Sequence, residues 1–375
     1  MTCFSHAILR RPVSHLNRAL ILAVLTAMPL ALPCGANAAD QEPALKVKAK
    51  PIIDSPFFTY VDNRLSYAYI FSTTDAGYFS QKPNGTYDGK TSMQVVAFTH
   101  FDTWAYGTNF FTVLASKAGK NDPAAPCTNA GQVTDFGGTT LGVNCAGATD
   151  IYGLIRSTFG LNEIFDTHAF SMGPLRNVSL EVGADADSQN TYFASAKRSY
   201  AAGLQFAFDL PYKGYIDIAP LYYKDFGHNG FTQCGSVFAN PLSCNADGNT
   251  HFNGTWAIET NYYMDLGFLP PSLQFFAISG RAGWYGPKGN FHGLAGQEST
   301  KVELNSEPIR LTFDAGKAIW GNKRSHEVDL WVAYRYWRNQ YGNDQNSAPF
   351  VCTVNGVSTN SCTSSTAVTG VTVKF

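Results

Sequence analysis

Apolar and polar residues alternate along most of this chain from residue 64 onward. In Arg64–Ser72 the odd positions are Leu65, Tyr67, Tyr69 and Phe71, while the even ones are mostly small or polar. A period of two places the two sets on opposite faces of a β-strand. The same rhythm returns in Val178–Asp185, Ser199–Asp209 and Glu327–Tyr336, with the charges held on one parity in each. One face meeting lipid and one lining a wet interior gives this pattern.

The rhythm predicts about twelve strands, near 64–74, 91–103, 108–117, 150–160, 177–188, 195–209, 215–226, 255–266, 272–285, 300–314, 326–338 and 366–375. Pro308 interrupts one of them, and the charge parity flips around it, which predicts a bulge. In 272–285 the polar residues Gln274 and Arg281 have opposite parity, so that strand's wet face is not assigned. Connections alternate in length. Those at 102–108, 210–214 and 267–272 are short, while 161–176 and 188–195 break the alternation. The expected fold is all-β: a transmembrane antiparallel β-barrel with short periplasmic turns and long extracellular loops. After the first residues no segment is long and apolar enough for a spanning helix. A spanning chain of this kind must close into a barrel, because lipid offers no partner for an open strand edge.

The N-terminus predicts export. Arg10, Arg11 and Arg18 form a basic start, Ala19–Leu32 is apolar, and Ala36–Ala38 offers small residues for cleavage. The expected organisation is a signal peptide at 1–38, a flexible periplasmic leader at 39–56 and an outer-membrane barrel at 57–375. Charged residues are 15% of the chain and aromatics 14%, which is sparse charge for a soluble domain. Without the signal's three arginines the 27 basic residues fall to 24 against 28 acids. A mildly acidic chain is poorly suited to bind a nucleic-acid polymer.

Eight cysteines include Cys3 and Cys34 in the signal. The other six fall as Cys127 with Cys145, Cys234 with Cys244, and Cys352 with Cys362, each pair within its own polar loop. Export permits disulfides, and local pairing leads among about fifteen connectivities. An inward N-terminus puts all three pairs in outer loops. No metal-ligand spacing and no cofactor motif is present.

The parity that carries charge is assigned to the lumen. It holds Asp185, Asp187, Asp217, Asp225, Glu259, Asp265, Glu327 and Asp329 against Arg64, Arg156, Arg310 and Arg335. An acid-rich wall disfavours anions. Phe98, Tyr223, Tyr263, Trp331 and Trp337 are assigned to the same face, where a ring can stack on a planar solute for roughly 1–3 kcal/mol. The expected solute-binding residues are Arg64, Phe98, His100, Asp102, Tyr223, Glu259, Trp331, Arg335 and Trp337. His100 and Asp102, two apart, also suit a base and its orienter in a barrel hydrolase of lipids or peptides, but no GxSxG, HExxH or P-loop accompanies them. A third reading is a non-conducting barrel whose stapled loops bind a partner.

Phe98–Phe111, with His100, Asp102, Trp104 and Tyr106–Gly107, resembles the first periplasmic hairpin of the Tsx-like, nucleoside-specific channel-forming porins. Asn63–Tyr67, Gly173–Leu175 and Val332–Trp337 are shorter matches. The resemblance implies a monomeric twelve-stranded outer-membrane barrel with a narrow lumen. Its partners would be membrane lipid and nucleosides that diffuse passively between aromatic and polar sites. The cysteine-bearing loops and their length depart from that family. The terminal Phe375 resembles the signal that such barrels present to the barrel-assembly machinery. No catalysis and no cofactor are expected.

Overall fold

A computed structural model describes residues 57–375 except 75, 82–83, 85, 120–121, 123–131, 135–139, 143–146, 191–194, 229–232, 236–243, 290–298, 345–351 and 355. The expected signal peptide, leader, Cys127 and Cys145 lie outside the described residues.

Twelve long strands form one antiparallel sheet. They are β1 (Phe58–Thr73), β2 (Thr91–Trp104), β3 (Gly107–Ala118), β4 (Thr149–Gly160), β5 (Leu175–Gln189) and β6 (Ala196–Leu210). They continue as β7 (Gly214–His228), β8 (Thr255–Asp265), β9 (Phe276–Tyr285), β10 (Glu303–Asp314), β11 (Val328–Arg338) and β12 (Thr363–Lys374). Each pairs with the next, and β1 pairs with β12 from Arg64↔Lys374 to Ile70↔Val368. The sheet is therefore a closed barrel with no free edge in its wall, as a chain surrounded by lipid requires. No helix among the described residues is long and apolar enough to cross a membrane.

The outer face carries the apolar rows. Leu65, Ile151 and Val332 are each about half exposed, at 49%, 55% and 55%. Register sets these rows side by side. Leu65 faces Val373, and Tyr67 faces Val371, which in turn faces Leu330. At the terminal end of the barrel, where β1 begins and β12 finishes, Phe57 stacks on Trp104 at 5.8 Å, and Trp104 meets Tyr106 and Phe159 edge-on. Such a collar marks a lipid–water boundary.

Short turns join strands at the terminal end, including 105–106 and 211–213. The longer one at 161–174 contains the single-turn helix α1 (Leu161–Ile164). Asn162 holds it closed, donating to Ser171 Oγ at 2.7 Å and accepting the Phe170 N–H. The other end carries the loops, among them 74–90, 229–254, 286–302 and 339–362. Two disulfides staple it, Cys234–Cys244 and Cys352–Cys362, both with the expected local pairing. The 74–90 loop crosses this mouth, since the Tyr78 hydroxyl hydrogen-bonds Ser195 at the head of β6.

The Pro308 bulge is present. Register shifts fall between Ser279 and Arg281 on one side and Ser306 and Ile309 on the other. Glu303, Asn305 and Glu307 face inward before it, Arg310, Thr312 and Asp314 after it. β9 begins only at Phe276, so Gln274 belongs to the preceding turn. Its inner face is then single-parity: Ala277, Ser279, Arg281, Gly283 and Tyr285.

Candidate functional site

One side chain settles which face is the lumen. Arg156 lies on β4, and its Nε and Nη2 donate to Glu259 on β8 at 3.0 and 2.7 Å. Three strands stand between β4 and β8 on the shorter way round, so this two-point contact crosses the interior. Two parallel N–H donors meeting two carboxylate oxygens is the strong, directional form of this pair. In register with Arg156 sits Gly183 on β5. A Cβ there would lie 2.5 Å from Arg156 Cδ, so the glycine provides the room for the arginine to lie down and reach across.

Carboxylates crowd this crossing. Glu181 and Asp185 lie 3.8 and 3.7 Å from the guanidinium. Lys197 Nζ holds Asp185 at 3.0 Å, and Gln205 donates to Glu181 at 2.9 Å. The Tyr285 hydroxyl donates to Glu259 at 3.0 Å, and its ring lies 4.7 Å from that of Tyr223. Three acids against two bases leave the constriction electronegative, and every described polar arm is hydrogen-bonded.

Toward the loop end, Lys288 folds in from the connection after β9. It donates to Asp225 at 2.7 Å, with the Tyr223 and Phe252 rings 5.8 and 5.0 Å away. Trp337 Nε1 donates to Glu303 at 2.7 Å, and Arg335 lies over the Trp337 ring at 5.3 Å. Lower on the same two strands Arg310 lies 3.8 Å over the Trp331 ring, and Trp331 Nε1 donates to Thr372 at 3.0 Å. Toward the termini Arg64 and Lys374 both hold Asp62, at 2.8 Å each. Rings backed by cations thus line the lumen from mouth to mouth.

Arg64, Tyr223, Glu259, Trp331, Arg335 and Trp337 therefore stand on the inner wall. Phe98, His100 and Asp102 do not. They pair with Leu65, Asn63 and Val61, which belong to the outer row. Polarity misled the reading of β2, because His100 and Asp102 are satisfied on the outer wall itself. His100 Nδ1 meets Asn63 Oδ1 at 2.7 Å and Nε2 meets Asp102 at 3.1 Å. Asn109 donates to Asp102 at 2.8 Å, and Ser157 donates to Asn109 at 2.7 Å. This chain of side chains spans β1 to β4 just inside the aromatic collar. Phe98 instead underlies the C-terminal residue, its ring 6.5 Å from that of Phe375. Inward positions on these strands belong to Phe101 and Phe110, which the sequence reading missed. Phe110 faces Arg156 directly across the β3–β4 pair.

The hydrolase geometry is incomplete among the described residues. His100 and Asp102 touch, but no hydroxyl or thiol bonds the imidazole, and Ser157 Oγ is directed to Asn109. Glu327 leaves the lumen set too. It lies in the turn before β11, paired with Arg324.

Asp314, His326 and Asp329 gather at the terminal end with ligand atoms within 4.8 Å. The Asp314 carboxylate caps α2 (Ala315–Trp320) by accepting the Lys317 N–H at 2.8 Å, and it also accepts from Ser325 and the His326 N–H. Its lone pairs are committed to the turn, and no described residue completes a metal shell. The His326 imidazole, 3.0 Å from Asp329, has its pKa raised mainly by that hydrogen bond.

No protein-family model matches the chain, and no curated protein matches it. Three solved structures illustrate its distant likenesses. An outer-membrane channel from Pseudomonas putida F1 is 10% identical at TM-score 0.42, over 85% of this chain and 98% of that one. A deletion mutant of the monoaromatic hydrocarbon channel TodX is 8% identical at TM-score 0.32, over 84% and 90%. OccAB1 of Acinetobacter baumannii is 10% identical at TM-score 0.26, over 85% and 97%. Likeness this remote does not bear on what this barrel admits. The class of the molecule rests on its own geometry: a closed twelve-stranded barrel, apolar outside and charged within.

Proposed function

We propose that this chain is an outer-membrane channel through which small, mostly neutral solutes, nucleosides among them, diffuse passively. The Arg156–Glu259 crossing carries the reading. It narrows an aqueous lumen to a polar constriction and surrounds it with ring faces at Phe110, Tyr223 and Tyr285. A planar solute can stack there and exchange hydrogen bonds with charged arms. Several weak sites in series let a solute leave as readily as it enters. The surplus of acids disfavours anions.

The chain would be exported by the signal at 1–38, with 39–56 as leader. It would be handed to the assembly machinery through Phe375 and set with turns toward the periplasm and loops outward. The nucleoside assignment draws on the sequence resemblance of the first hairpin. Because Phe98, His100 and Asp102 of that hairpin face outward, selectivity would reside in Arg64, Tyr223, Glu259, Trp331, Arg335 and Trp337.

Planar-bilayer recording of the purified protein tests both levels. Discrete conductance steps, reduced by uridine or adenosine at millimolar concentration, are expected. Steps that neither nucleoside alters would remove the specificity, and bilayers that never conduct would remove the channel.

A further inference from the structure

We propose that the outer wall of β6 and β7 binds a membrane lipid whose headgroup carries a phosphate. The binding element is a cleft at the loop end that the channel reading does not use.

β7 runs past the start of β8. Its pairing with β8 ends at Tyr223↔Thr255, and its overhang is paired by the short strand Asn249–His251. The step opens a cleft of about 360 Å³ lined by Arg198, Tyr200, Phe226, Asn249 and His251 among others. Register places these residues outside. Arg198 faces Phe226, Tyr200 faces Lys224, and Phe226 faces His251, while Ala201 and Tyr223 one step away face the lumen. Lys224 Nζ lies 5.5 Å over the Phe226 ring and spends one donor on the Phe252 carbonyl. Arg198 is exposed, and its side chain makes no ion pair or hydrogen bond among the described residues.

Cations on a lipid-facing wall are costly unless something anionic meets them. Asp247 stands nearby, but its carboxylate accepts the Asn249 N–H at 2.9 Å. Arginine and lysine side by side are well matched to phosphate oxygens. The wall also changes in order along its height. Leu204 and Ile258 are exposed nearer mid-barrel, Tyr200, Tyr222 and Trp256 come next, and Arg198 and Lys224 stand at the loop end. That sequence of apolar, aromatic and cationic levels follows an amphiphile from acyl chain to headgroup, which a free phosphate ion would not require.

The test is binding of the full protein in neutral detergent to micelles doped with phosphatidic acid or, at equal mole fraction, phosphatidylcholine. Preference for phosphatidic acid by about ten-fold is expected, weakening as salt rises. Arg198→Gln and Lys224→Gln should each reduce it about five-fold. Lys117→Gln, which alters an outer-wall lysine bonded to the Gly147 carbonyl, should leave it unchanged. Equal binding of the two lipids, or wild-type binding by both the Arg198 and the Lys224 variant, would overturn the proposal. So would full displacement by inorganic phosphate at matched concentration, which would mark a free-anion site. The assay reads no conductance, so its failure and failure of the channel are separate results.

Discussion

Two polar networks of similar make-up sit on the two faces of the same wall. Inside, Arg156 reaches Glu259 across the lumen among Glu181, Asp185 and Lys197. Outside, His100 and Asp102 are tied to Asn63, Asn109 and Ser157 along four adjacent strands. Both are fully hydrogen-bonded chains of charge and amide. They differ in what they join. The inner one bonds strands that are not neighbours and so shapes the interior. The outer one bonds only strands already paired by backbone and so can only reinforce the wall. A polar residue on a barrel strand therefore does not by itself declare the wet face; its partners do.

The contrast can be broken most severely at Arg156. Arg156→Ala leaves Glu259, Glu181 and Asp185 without their shared cation, and loss of one partner of a buried pair costs about 3–5 kcal/mol. Reversible urea unfolding in lipid vesicles would read this, and a loss below about 1 kcal/mol would contradict it. On the outer wall Asp102→Ala strands His100 and Asn109 at a cost of about 1–3 kcal/mol. Its ion conductance should match wild type, because the residue does not reach the lumen. A change in conductance would return Asp102 to the interior.

Gly183→Val sharpens the same contrast. The added side chain would meet Arg156 and displace it from Glu259, with overpacking worth about 1–3 kcal/mol. Its conductance should move in the same direction as that of Arg156→Ala. The smallest effect is expected at the terminal end. His326 has a raised pKa in the folded chain, so its bond to Asp329 stabilises fully below the ordinary value near 6.5. That contribution fades as pH rises through the raised value. Wild type should be more resistant to urea at pH 6 than at pH 9 by about 1 kcal/mol or less, and His326→Gln should remove that part of the difference.

Strand positions were legible because period-two patterning is local, and β2, β4 and β8 begin within a residue of where the alternation placed them. The Pro308 bulge was legible for the same reason, since a missing N–H and a flipped charge parity sit side by side in sequence. The strand at β9 was legible but its inner face was not, because Gln274 belongs to a turn and Gly280 and Gly283 carry no polarity to read. The Phe98, His100 and Asp102 assignment failed on register, which depends on the partner strand. Pairing with the unmistakable Leu65–Phe71 row would have corrected it. The Arg156–Glu259 crossing was beyond sequence reading, since 103 residues separate the two. Gly183, in an otherwise well-formed strand, was the available hint of a close side-chain approach.

If the barrel conducts as proposed, Arg156 and Glu259 together narrow its lumen. Single-channel conductance of Arg156→Ala beside wild type, in the same bilayer and salt, tests it most directly. The account predicts stable steps from both proteins, with those of the variant about two-fold larger as the crossing arm is removed. Steps of equal size, or silence from both, would contradict it.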